Sequence, residues 1–279
     1  MGLDLPGWGN SNSRSVDADL RHCWPTRVFV MRLFWLKLVM LAVTVLSLQS
    51  AFAQDKRVAL VIGNADYRNI FKLKNPVNDA TDIGAALSRM GFSVTMLNNA
   101  TAEQMHDALA AFGGKAKQAD YAVVFYAGHA IQAHGVNWLI PVDGSVDTLL
   151  DVANHSITLD EIVGQMAGAE QLAVVLLDAA RNNPFPESKT LPRTTPQAAT
   201  PKNLLIGYAT GPGQKVSDGE GRDSPYTRAL LRHIETPGLD VADLVKRVRD
   251  DVVKATAAKQ IPFFHMSGPD EAVYLVPPR

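Results

Sequence analysis

From residue 56 onward, short apolar runs alternate with stretches whose apolar positions recur every three or four residues. Residues 58–63, VALVIG, read as a buried strand ending in glycine. Asn75-Pro76 then opens a helix, with Asn at the N-cap and Pro at the first helical position. Asp79 and Asp82 fall in its early turns, where the helix dipole favours negative charge. Ile83, Leu87 and Met90 form its apolar face, and Gly91 ends it. Residues 92–97 are a second strand. Thr101 and Gln104 make a capping box for a helix with Met105, Leu109 and Phe112 inward, closed by Gly113-Gly114. Tyr121–Ala127 is a third strand, and it delivers Gly128-His129-Ala130. Residues 136–141 return from that loop as a short strand.

Thr158 and Glu161 form another capping box, ahead of Ile162, Val163 and Met166. The apolar run 174–177 follows and ends at Asp178, before the polar loop Arg181, Asn182, Asn183, Pro184. Residues 186–202 are rich in Pro, Thr and Ala and read as a mobile loop. Residues 203–209 are a fifth main strand, with a Gly-rich loop over 211–223 after it. Ser224-Pro225 starts a helix with Leu230, Leu231 and Ile234 inward. Asp240 caps another, with Leu244, Val245, Val248 and Val252 on one face. Residues 272–276 are expected as the last strand. Strand–helix alternation of this kind predicts an α/β fold: a mostly parallel central sheet of about six strands with helices on both faces, a three-layer α/β/α sandwich.

The segment before this pattern has a different character. Residues 1–30 have no periodicity and read as an over-long start or a disordered leader. Met31, Arg32 and Lys37 precede an apolar run over 38–48 that closes with Ala51-Phe52-Ala53. A basic start, a short apolar run and an A-x-A end describe a signal peptide over 31–53, cleaved after Ala53. The expectation is an exported protein, periplasmic or secreted, with 54–279 as the single mature domain. An uncleaved inner-membrane anchor is the alternative, and the run is short for a span of ~20 residues.

Composition narrows the chemistry. Hydrophobic residues make up 47% and charged residues 20% of the 279, so a packed core is expected. The formal net charge is −1, and a chain with no basic excess is not expected to capture nucleic acid. The only cysteine is Cys23, in the leader, so a mature form has no thiol, no disulfide and no Cys-based metal site. Asp218-Gly219-Glu220 lacks the D-x-D-x-D-G calcium pattern, and Gly63-Asn64 is no dinucleotide fingerprint. His134, His155, His233 and His265 are scattered without metal-ligand spacing and are expected on the solvated surface.

Parallel strands open their C-terminal ends on one edge, so His129, Asp178 and the 211–223 loop meet there. A histidine after one strand, and a nucleophile two residues past the end of the next, would make a dyad. Each residue also has a plainer reading. His129 could be a satisfied polar residue at the sheet edge. Asp178 could hold a loop through hydrogen bonds or bind a cationic side chain. Arg181 braces its loop, and Asn182-Asn183-Pro184 is turn chemistry.

Several segments carry a family resemblance: ALVIGNADY (59–67), LKNPVNDATDIGAALSRMGF (73–92), YAVVFYAGHA (121–130), GVNWLIPVD (135–143), LLDAARNNPF (176–185) and YATGPGQKVSDGEGRDSPYTRALLRHI (208–234). In order and spacing the chain resembles the caspase-like peptidases of clan CD, specifically the bacterial metacaspase-like group with a caspase p20-type domain. The resemblance implies a cysteine-type endopeptidase with a His in G-H-G and a Cys in D-x-C-R. His129 matches the histidine, and Ala180 stands where the cysteine belongs. Asp178 matches the acid that helps form a pocket for Arg or Lys. Asp218, Asp223 and Ser224, in the loop after the fifth strand, are further candidates for that pocket. Ala130 replaces a glycine and keeps a backbone N–H for an oxyanion contact. No cofactor is expected. The resemblance leaves calcium dependence open, with no site identified.

Alanine has no heteroatom, and loss of a nucleophile costs roughly a millionfold in turnover in a serine peptidase. The favoured expectation is therefore a pseudopeptidase whose vestigial cleft binds peptides or a protein partner through Arg or Lys side chains. Two departures in one site, at 130 and 180, point to natural divergence rather than a laboratory replacement. Two alternatives stand beside it: an Arg/Lys-directed cysteine endopeptidase whose native residue at 180 is Cys, and a scaffold that uses no cleft.

Overall fold

The structure, a computed structural model, describes residues 56–179, 200–211, 216, 219, 221–268 and 272–279. Six strands form the central sheet. They are β1 (Arg57–Gly63), β2 (Ser93–Asn98), β3 (Tyr121–Ala127), β7 (Leu172–Asp178), β8 (Leu204–Tyr208) and β9 (Phe263–Ser267). Their order across the sheet is β2-β1-β3-β7-β8-β9. All neighbours are parallel except β8 and β9, which run antiparallel. A smaller antiparallel sheet joins β4 (Ala130–Ala133), β5 (Val136–Leu139) and β6 (Ile157–Thr158).

Parity along the strands explains the near-continuous apolar runs. Leu60, Val124, Val175 and Ile206 point into one core with Met105, Leu109 and Phe112 of α2 (Ala102–Ala116) and Ile162 of α4 (Leu159–Gln165). Val61, Val123, Val174 and Leu205 point into the other. That second core is completed by Ile83 and Leu87 of α1 (Pro76–Arg89), Leu230 of α5 (Pro225–His233) and Val245 and Val248 of α6 (Val241–Ala255). A central strand with a helix layer on each face must be apolar at every position. The expected three-layer α/β/α sandwich is the observed fold.

Local details both match and correct the sequence reading. Thr101 and Thr158 make the expected capping boxes, and Thr148 with Asp151 makes a third before α3 (Leu149–His155). Ser224 and Asp240 cap α5 and α6. Asn75 differs: it is buried in helical geometry with no side-chain cap bond. Its carbonyl instead accepts from the N–H groups of Asn78 and Asp79. Helix α2 runs through Gly113-Gly114 to Ala116. The last strand is Phe263–Ser267, not 272–276. Once it docks on β8, the edge available on that side is filled. Residues 272–276 then run past α6 with a single bridge, Asp240 to Tyr274, and Arg57 holds the Leu275 carbonyl. His233 is no solvated histidine: its Nε2 lies 2.9 Å from Asp251, stapling α5 to α6.

The leader 1–53 and most of the 186–202 loop lie outside the described residues. Among the described residues no helix is long and apolar enough to cross a membrane.

Candidate active site

Strands β3 and β7 are neighbours in register, with Ala127 opposite Asp178. Their C-terminal ends therefore emerge together. The Gly128 N–H donates to the Asp178 carbonyl at 3.3 Å, which ties the turn carrying His129 to the end of β7. His129 is half-buried between two rings, Tyr67 at 4.6 Å and Phe71 at 4.4 Å between centroids. Its Nε2 lies 2.9 Å from the Phe71 carbonyl oxygen. A carbonyl only accepts, so Nε2 carries a hydrogen. Ala130 is buried as the first residue of β4, opposite Leu139.

Asp178 is 6% exposed. Its Oδ2 accepts the hydroxyls of Ser224 and of Thr227, the latter at 2.8 Å. Ser224 is the hub of this corner. Its hydroxyl also accepts the Thr227 N–H at 2.9 Å, and its own N–H donates to Asp79 at 2.8 Å. Asp79 reaches it from the first turn of α1, a helix whose N-terminus faces the same edge. Asp223 is buried beside Ser224, close to the Asp82 carboxylate. Arg222 grips Asp82 with two bonds, 2.7 and 3.0 Å, and Asn78 holds the Arg222 carbonyl at 3.2 Å.

Burial, then the charge of Asp82, pushes the Asp223 carboxyl above its ordinary range. The Arg222 bonds hold Asp82 below its own. Burial raises the Tyr226 hydroxyl, and the Asp178 charge adds to it. The described part of this corner thus holds four carboxylic acids, Asp79, Asp82, Asp178 and Asp223, with Arg222 and Arg228 close to Asp223. Among the described residues no three His, Cys, Asp or Glu side chains are grouped to hold a metal ion.

A histidine and an acid brought together at the C-terminal edge of such a sheet agree with the sequence relationships. The family model for the caspase domain matches residues 56–274. This chain belongs to the caspase domain family. The human mucosa-associated lymphoid tissue lymphoma translocation protein 1 (Homo sapiens) is 32% identical to this caspase domain over 166 residues, 59% of the chain and 19% of that protein. Its Mus musculus homolog is 31% identical over 166 residues, with the same coverage. The chain therefore spans 19% of the length of these relatives.

Within this caspase domain the structure brings together His129, Asp178, Ser224, Asp223 and Ala130 at one edge. Ala180, Asp218 and Arg181 lie outside the described residues. Four contributors escaped the sequence reading: Asp79 as a site acid, Thr227, Tyr67 and Tyr126. Asp79 had a usable signal. A helix that follows a parallel strand starts at the sheet's C-terminal edge, so an acid in its first turn lies near the site. Tyr126 sits inside an apolar strand and Tyr67 in the polar loop after β1, and in neither segment does anything mark the hydroxyl's partners.

Proposed function

We propose that this caspase domain holds Arg or Lys side chains of a peptide or protein partner at the C-terminal edge of its sheet without cutting the chain that carries them. The observation that supports this most is the grouping of Asp79, Asp178 and Asp223 around Ser224, in a chain whose sequence has alanine at 180. Ionised carboxylates in a partly dry corner attract a guanidinium or ammonium more strongly than they would in water. With Cys23 as the only cysteine, residues 54–279 offer no thiol to attack a bound peptide. Signal-peptide cleavage after Ala53 would place this activity in the periplasm or outside the cell.

Asp178 has two duties in this account. It anchors the start of α5 through the Ser224 and Thr227 hydroxyls, and its charge draws the cation. Asp178→Asn keeps the shape and removes the charge. Titrated with a fluorescent Arg-containing peptide, the variant should bind roughly tenfold more weakly, the scale of a lost charge-assisted hydrogen bond. A lysine peptide should follow the same order, and a norleucine peptide should not bind. Equal binding by wild type and variant would move the partner surface elsewhere and favour a scaffold that does not use the cleft.

A further inference from the structure

His129 is held at its backbone as well as its ring. Its N–H donates to the Tyr67 hydroxyl at 2.7 Å. Its carbonyl accepts the Tyr126 hydroxyl at 2.6 Å and the Ile140 N–H at 3.0 Å. The two hydroxyls lie 3.2 Å apart, and each reaches the Ile140 carbonyl, at 3.3 Å from Tyr67 and 3.0 Å from Tyr126. Tyr67 is 2% exposed and Tyr126 fully buried. Burial raises both phenols far above their ordinary range, so both keep their protons.

Donor bookkeeping then fixes the network. Tyr67 spends a lone pair on the His129 N–H and sends its own hydrogen to Ile140 or Tyr126. Tyr126 sends its hydrogen to the His129 carbonyl. Phenylalanine at either position would fill the same volume without a polar atom to satisfy. Hydroxyls are present at both, and both converge on the backbone of one residue. Gly128 fits the same plan: a Cβ there would lie within 2.7 Å of both hydroxyls.

We propose that Tyr67 and Tyr126 are positioning residues for the His129 imidazole. They clamp its backbone so that Nε2–H is delivered to the Phe71 carbonyl.

The test is carried out on the full chain with 15N-labelled histidine. The His129 ring signals are those lost in His129→Gln. Wild type should show the Nε2–H tautomer, and Tyr67→Phe and Tyr126→Phe should each lower its ratio to the Nδ1–H tautomer about fivefold, the equivalent of one neutral hydrogen bond. A lowered melting temperature with an unchanged ratio in both variants would reduce the tyrosines to packing and overturn the proposal. If Tyr67→Phe does not fold, Tyr126→Phe carries the test through hydrogen exchange: the His129 Nε2–H should exchange with solvent about fivefold faster than in wild type. An unchanged rate together with an unchanged ratio would overturn the proposal.

Discussion

Asp223 carries a residue-scale consequence that can be measured. Its carboxyl is raised by burial and then by Asp82, so the folded protein holds that proton more tightly than the unfolded chain does. Ionising it therefore costs stability. The cost is absent below the unfolded value near 3.8, grows as pH rises towards the folded value, and is complete above it. Asp223→Asn is always neutral. It should melt higher than wild type at pH 7, and the gap should close by about pH 4; a gap independent of pH would contradict this sign. Gly128 gives a second prediction. A methyl group there meets the Tyr67 and Tyr126 hydroxyls at once. Gly128→Ala should cost about 1–3 kcal/mol in chemical denaturation, the usual range for an overpacked site. Sequence reading expects His129 just past one buried strand and Asp178 at the end of another, and the structure has β3 ending at Ala127 and β7 at Asp178. That reading does not show Tyr67 and Tyr126 beneath them: Tyr126 in its apolar run reads as core, Tyr67 in its polar loop reads as surface, and the partners of both hydroxyls come from distant segments.

Elements follow the hydrophobic pattern where local chemistry and tertiary packing agree. The capping boxes at Thr101 and Thr158 are examples: the side chains that announce each helix start also make its bonds. Helix α2 shows where the agreement fails. Gly113-Gly114 is a stop signal in isolation, yet the helix continues to Ala116, because Gly113 packs against Gln165 of α4 where a side chain would collide. Gly114 has open space around it. Gly114→Ala should therefore stabilise the protein by about 0.5–1 kcal/mol, while Gly113→Ala should not, because its methyl meets Gln165. Equal effects at the two positions would argue against the close α2–α4 contact. The misplaced last strand has a similar cause. Residues 272–276 and Phe263–Ser267 are both apolar enough for an edge, and pairing with β8 selects the second.

For the molecule as a whole, membership of the caspase domain family, the three-layer sandwich and the position of the site form one consistent picture. The parallel order β1-β3-β7-β8 sets the turn after β3, the end of β7 and the loop before α5 side by side. The acids of α1 and of the 221–224 turn then close around Ser224. The fold brings the turn carrying His129 and the end of β7 at Asp178 together, and the sequence puts alanine at 180. Binding and cleavage are thus separable in a single sample. The most direct measurement mixes the full chain with a doubly labelled Arg-containing peptide, following anisotropy for binding and loss of energy transfer for cleavage. The account predicts saturable binding with the peptide intact after prolonged incubation, with and without calcium. Cleavage that is lost in His129→Gln, or no binding at all, would contradict it.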